Sequence, residues 1–306
     1  MSGVLRGVFP VLPTIFDGAG EVDTRSTLDV LEFTLDAGVD GVVFPGLASE
    51  YDHLTLDERL SLIKAIGSVA RGRTTFIVGA GSISTDETVS LARAGIAAGA
   101  SAAMVMTPHR LDGDLQGLVD FYTALAEAAP LDILLQNAPR PMGLGLDVEA
   151  LVDILRKAPA VTHLKEETVP CGPRISQLLT LAPGLAGVFG GAGGRHIIDE
   201  LTRGAVGTMP ASELADTHVA LVAAFHAGDI SAARGYYERM MPILMMQSVY
   251  RWRLTKAVLA MRGVICSEFT RAPGPSLDLH DREEMKAWLA RLGHVVREPQ
   301  ATAAVG

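Results

Sequence analysis

Two cysteines in 306 residues, Cys171 and Cys266, are too few for a disulfide framework and make no redox-type or metal-type spacing. Basic charge is also in deficit. The formal net charge is −9 at pH 7, which argues against a nucleic-acid partner because phosphate contacts need a basic face. Long apolar runs are missing: even "AGIAAGASAAMVMTP" falls short of the roughly 18 residues of a membrane span, so no membrane role is expected. The amino terminus "MSGVLRGVFP" lacks the apolar centre of a signal peptide, and the chain reads as cytoplasmic. No HExxH and no clustered Cys/His pattern occurs among eight scattered histidines, so neither a metal nor another cofactor is expected.

Lysine is scarce as well, 5 against 21 arginines. Lys64, Lys157, Lys256 and Lys286 sit in helix-like surroundings of mixed polarity, whereas Lys165 alone ends a strand-like run. What the chain has in plenty is apolar residues, 48%, enough to build a large core in one or two domains.

Short β-like runs recur with helical patterns between them. Strands are expected near 8–16, 41–44, 75–80, 102–106, 132–136, 161–165, 185–190 and 206–210. Helical spacing marks "TRSTLDVLEFTLDAG", "TLDERLSLIKAIGSVA" and "LDVEALVDILRKA". Thr55 with Glu58 three residues on is a capping-box pattern; Gly38 closes one helix and Gly67 loosens the end of another. Eight alternations within about 210 residues are what an α/β protein of the (β/α)8 TIM-barrel class needs. A doubly wound open sheet is the runner-up, but no Gly-rich dinucleotide turn follows the first strand. After Ser212 the pattern turns wholly helical. The expected organisation is a catalytic barrel over 1–211, a carboxyl-terminal helical bundle over 212–297 and a loose tail over 298–306.

In such barrels chemistry gathers at the carboxyl ends of the strands. That nominates 46–51, 107–110, 136–140, 165–168, 190–195 and 208–212, and within them Gly46, Ala48, Ser49, His109, Gln136, Arg140, Thr168, Gly190 and Thr208. The run "GGAGG" (190–194) either cradles an anion or serves as a flexible turn. "VTHLKEET" (161–168) raises the sharpest question, since an apolar strand ends on three charges. Residues two apart share a strand face, so Lys165 and Glu167 point together and Glu166 points away. Burial lowers the usual lysine pKa of about 10.4 while a nearby carboxylate works against it. A Schiff-base lysine therefore needs a mostly apolar pocket, for which Leu164 and Val161 are candidates. The alternative is a surface ion pair.

On "GVFPVLPTIFDGAGEVD", "GVDGVVFPGLASEYDHLTLDERLSLI", "QNAPRPMG" and "VTHLKEET", the sequence resembles the dihydrodipicolinate synthase / N-acetylneuraminate lyase family over nearly its whole length. The resemblance implies a Schiff base between Lys165 and a 2-oxo acid, substrate-carboxylate binding by the amides of Gly46–Glu50, and a homotetramer. It also exposes departures. The family's loop threonines are replaced by Leu47, Ala48 and Ser49; its tyrosine after strand five falls on Gln136. Its aromatic pair falls on His109 and Arg110, and its carboxylate-binding arginine on Pro141, beside Arg140. A glutamine cannot relay a proton as a phenol does.

These departures, with Ser49–Glu50, Gln136–Pro139 and the pattern of Lys165, Glu167 and Thr168, are similar to the 2-keto-3-deoxy-sugar-acid dehydratase branch, especially the L-2-keto-3-deoxyarabonate dehydratases. Elimination would then use Glu167 as general acid/base and Gln136 to orient a hydroxyl or water. A pyruvate-dependent aldolase and a non-catalytic metabolite-binding barrel remain as other readings. His109, Arg110, Arg140 and Arg195 are candidates for meeting a substrate hydroxyl or carboxylate, and Glu50 reads as structural.

Overall fold

In the computed structural model, which describes residues 5–293, the eight β-like runs become eight parallel strands. They are β1 Gly7–Val8, β2 Gly41–Phe44, β3 Thr75–Gly79, β4 Ala102–Met106, β5 Asp132–Asn137, β6 Val161–Glu166, β7 Gly187–Gly190 and β8 Gly207–Thr208. From β2 to β8 each strand pairs with its sequence neighbour, and β1 pairs with β8. Val11 bridges Val43 on one side and Ala211 on the other, which closes the sheet into a barrel.

Only the first and last strands are much shorter than the sequence suggests. Pro10 and Pro13 carry no N–H to give to a ladder, so the expected 8–16 strand survives as β1 and isolated bridges at Val11 and Phe16. Pro210 interrupts β8 in the same way.

The helices are α1 Thr24–Asp36, α2 Leu56–Ala70, α3 Thr85–Ala98, α4 Leu115–Ala128, α5 Val148–Lys157, α6 Cys171–Leu181, α7 Ile197–Thr202, α8 Ala215–His226, α9 Ile230–Tyr250, α10 Trp252–Met261 and α11 Leu279–Arg291. Asp23, Thr55, Ser84, Asp114 and Asp147 cap α1 to α5 with their side chains. The Thr55–Glu58 box forms in both directions, and Gly38 turns the chain after α1 with φ 79. Gly67 does something other than loosen a helix end. It lies inside α2, where a Cβ would come within 2.5 Å of Ala98 Cβ, so its bare face lets α2 and α3 pack closely.

Three apolar cores follow from strand alternation. Phe9, Val11, Val43, Ile77, Met104, Leu134, Phe189 and Met209 plug the barrel interior. A larger core lies between the strands and α1–α6. A third joins Val8 to residues of α7–α11. Each fully buried Val, Leu, Ile, Phe or Met side chain contributes roughly 1.5–3 kcal/mol relative to exposure.

α8 follows β8 and contributes Leu221 and Val222 to the core around Val8, so the eighth barrel helix is also the first of the carboxyl-terminal helical run. The expected tail at 298–306 and positions 294–297 of the expected bundle lie outside the described residues. Among the described residues, no helix is long and apolar enough to cross a membrane, and no His/Cys/Asp/Glu group is arranged to hold a metal ion.

Candidate active site

β6 positions the central pair. His163 and Lys165 share its inward face; the His163 ring stands 6.3 Å from Phe189, and Lys165 lies one step higher, at the carboxyl end of the barrel. Lys165 is 3% exposed, and its Nζ lies 3.4 Å from Glu167 Oε1. Leu164 and Val161, the apolar neighbours that the sequence offers, both belong to the outer core. The hydrophobic floor comes instead from other strands, through Phe189 and Met209.

Glu167 is fixed by three donors. Gln136 Nε2 on β5 donates to Oε2 at 2.6 Å, the Ala192 N–H donates to Oε1 at 3.0 Å, and Lys165 completes the set. Burial alone would raise the Glu167 carboxyl, but the Lys165 charge, the Ala192 N–H and the Gln136 amide together hold it below its usual range. Of the "GGAGG" turn, the Ala192 N–H is thus engaged by Glu167, a carboxylate of the chain itself. Gln136 orients this carboxylate directly.

Glu166 points the other way. It takes Asn137 Nδ2 at 3.0 Å, the Thr168 N–H at 2.7 Å and Arg174 at 3.1 Å. Thr168 sits with it on the outer face, its hydroxyl 3.3 Å from the Asn137 carbonyl, and does not reach Lys165. Gly190 and Thr208 are neighbours in register and share the outward face with Val8, so strand alternation turns both from the barrel interior.

Lys165 and Glu167 open onto a cavity of about 250 Å3. Leu47 and Ala48 line it from the loop after β2, while Ser49 is engaged behind them: its hydroxyl donates to the Leu12 carbonyl at 2.5 Å and accepts the Gly46 N–H at 2.9 Å. Gly46 is required there because a Cβ would lie 2.7 Å from Val11 Cγ1. Arg195 reaches the cavity wall. Arg140 does not; it is paired with Asp112 at 2.6 Å on the exposed rim. His109, 3.2 Å from the Met142 carbonyl, lines a neighbouring depression, and Arg110 lies over Phe121 and donates to Thr85.

The far wall comes from the α9–α10 junction, which sequence reasoning did not connect with the site. Gln247, Ser248, Arg251, Trp252 and Thr255 all face the cavity. Trp252 Nε1 donates to the Leu47 carbonyl at 2.5 Å, and Lys256 Nζ reaches Glu50 Oε1 at 2.6 Å with both side chains fully buried. Glu50 Oε2 also accepts the Ala272 N–H at 2.7 Å, so the loop after β2 is pinned to the helical extension. Nothing in the sequence sets Lys256 apart, since its helix-like surroundings of mixed polarity match those of Lys64, Lys157 and Lys286.

Comparison with known proteins comes to the same fold. The sequence matches the model of the dihydrodipicolinate synthetase family over residues 4–292. It is 30% identical to the L-2-keto-3-deoxyarabonate dehydratase of Azospirillum brasilense, over 95% of this chain and 96% of that one. It is 29% identical to the 4-hydroxy-tetrahydrodipicolinate synthase of Syntrophus aciditrophicus, over 95% of this chain and 99% of that one. The crystal structure of YagE from Escherichia coli in complex with pyruvate superposes with a TM-score of 0.86 at 22% identity, covering 95% of this chain and all of that one.

Proposed function

This chain belongs to the dihydrodipicolinate synthetase family, and from that premise we propose that it is a Schiff-base hydro-lyase acting on a 2-keto-3-deoxy sugar acid, of which L-2-keto-3-deoxyarabonate is the representative. Members of the family are lyases and aldolases. The observation that carries the finer reading is the buried Lys165–Glu167 pair, 3.4 Å apart on a cavity wall, with Gln136 holding the carboxylate where a phenolic relay would otherwise stand.

Lys165 attacks the C2 carbonyl and forms a protonated imine, expelling water. The imine acidifies the C3 hydrogens, and Glu167, kept ionised by its three donors, takes one of them. The enamine expels the C4 hydroxyl, which leaves as water with a proton that Glu167 returns. Loss of a C5 proton, reprotonation at C3, transfer of a proton to C4 as the C5 enol hydroxyl gives up its own, and hydrolysis of the imine release 2-oxoglutarate semialdehyde with every carbon retained. The amides of Leu47 and Ala48 are the candidates for the C1 carboxylate, since both residues line the cavity beside Lys165.

Retro-aldol cleavage requires a base on the C4 hydroxyl. Gln136 cannot supply one, and its amide is already committed to Glu167. That favours elimination over an aldolase reaction. A homotetramer fits the exposed apolar Ile83, Met245 and Val249, and sedimentation velocity tests it.

The deciding experiment is borohydride reduction in the presence of L-2-keto-3-deoxyarabonate or pyruvate, followed by intact-mass and peptide analysis. The expected result is an adduct on Lys165 that retains all five substrate carbons. An adduct cut down to pyruvate would replace the dehydratase with an aldolase. No adduct in folded protein would remove the Schiff base and favour a metabolite-binding barrel.

A further inference from the structure

The cavity wall carries an imbalance of charge. Lys165, Arg195 and Arg251 face it, against one carboxylate, Glu167. Lys165 and Glu167 are 3.4 Å apart and cancel, which leaves two guanidinium groups. Among the described residues neither has an ion-pair partner. Arg195 donates to the Leu244 carbonyl at 3.4 Å, and Arg251 lies over the Trp252 ring at 4.4 Å with Met142 Sδ 3.2 Å from its Nη2. For a chain of net charge −9, this is a local reversal of sign.

The two arginines also converge. Gln247, in the last turn of α9, and Arg251, the residue that follows the helix and donates its N–H to the Gln247 carbonyl, line the same cavity. A Cβ on Gly193 would sit 2.4 Å from Gln247 Oε1 and 3.5 Å from Arg195 Nη1, which brings the Arg195 tip close to Gln247. Gln247 is held in turn through its amide by Glu213. Arg251 occupies φ 49, ψ −119 at the break between α9 and α10, a costly conformation for a residue with a side chain.

We infer that Arg195 and Arg251 form a second anion subsite, and that the 2-keto-3-deoxy sugar acid preferred here is a diacid, with a second carboxylate at the far end where L-2-keto-3-deoxyarabonate, which represents only the 2-oxo end, has a hydroxyl. The inference rests on the reading of Lys165 as the anchor of the 2-oxo carbon. A protonated imine keeps the Lys165 charge, so Glu167 continues to balance it. A monocarboxylate then leaves one guanidinium uncompensated beside the ligand, whereas a dicarboxylate neutralises both. Guanidinium forks match carboxylates in a way that hydroxyls do not. The volume of about 250 Å3 limits the ligand to a small one. Arg140, which the sequence nominates for a second carboxylate, is spent on Asp112, and the task falls to arginines from β7–α7 and the α9–α10 junction.

The test is calorimetric binding of 2-oxoglutarate and 2-oxohexanoate, similar in length and different in distal charge, with borohydride trapping of each in parallel. Wild-type protein is expected to prefer 2-oxoglutarate by about tenfold or more, with the preference shrinking as salt is raised. Arg195→Met and Arg251→Met are each expected to collapse that ratio. A wild-type ratio within about threefold, or a ratio that survives both substitutions together, overturns the subsite. Because the wild-type ratio decides alone, a variant that fails to fold does not shield the inference. Charge preference without a Lys165 adduct would sink the Schiff base and leave the subsite standing; adducts without charge preference would do the reverse.

Discussion

Glu167 and Glu200 press on consecutive glycines from two sides of the same turn. A Cβ on Gly191 would lie 2.4 Å from Glu167 Oε1 on the cavity side, and one on Gly190 would lie 1.9 Å from Glu200 Oε2, which comes from α7. Alanine at the two positions should therefore separate function from stability. Gly191→Ala displaces the proposed base, and kcat should fall by about 10²-fold while the fold survives. Gly190→Ala overpacks the strand–helix contact and should cost about 1–3 kcal/mol of stability. Steady-state kinetics and denaturant unfolding of both variants check the contrast.

Glu200 itself should make stability pH-dependent. It is 1% exposed, and neither carboxyl oxygen has a hydrogen-bond partner among the described residues. Burial, and after it the Glu167 charge, push its pKa from 4.5 up to about 8. An acid raised in this way stabilises the fold fully below the unfolded value, and that contribution is lost as pH rises through the folded value. Glu200→Gln lacks this loss. Its stability relative to wild type should grow between pH 4.5 and pH 8, reaching on the order of 2–5 kcal/mol. Parallel unfolding curves across that window would show a constant gap if the idea is wrong.

Gln136 should set the acid limb of the rate profile. Its amide is one of the donors that hold Glu167 low, so Gln136→Leu raises that carboxyl. The lower limb of kcat should move to higher pH by up to about one unit, with a loss of roughly tenfold at the optimum. An unmoved limb would mean that Glu167 is not the titrating base.

The buried Glu50–Lys256 pair should be intolerant of single changes. Burial lowers the Lys256 amine to about 8 despite the opposing charge of Glu50, so desolvation is the larger influence on it. Lys256→Met leaves Glu50 buried and unbalanced and should cost about 3–5 kcal/mol. Adding Glu50→Gln should recover part of that loss. A double-mutant cycle by chemical denaturation measures the coupling.

What the sequence reveals of this site is what strand alternation and element order govern. Lys165, Glu166 and Glu167 are sorted correctly onto two faces because a strand has period two, and the barrel is readable because its strands and helices alternate. The far wall is not readable. Arg251, Trp252 and Lys256 reach the cavity or its supporting loop through the packing of α9 and α10, and no local pattern encodes that contact. Arg140 and Arg195 look equivalent as strand-end arginines; Asp112, which draws Arg140 away, is a neighbour only in space. Gly67 misleads for the same reason, since Ala98 lies on the next helix.

The Glu50–Lys256 contact also orders events during synthesis. Its partners are 206 positions apart. At the roughly 5–20 residues per second of translation, about 10–40 s pass between the emergence of the acidic loop and that of its counter-charge. Throughout that interval Glu50 stays in water, because burying it alone is prohibitive. The mouth of the barrel can therefore set only after α10 has left the ribosome, and a chain released before Trp252 ends with its walls built and its site unfinished.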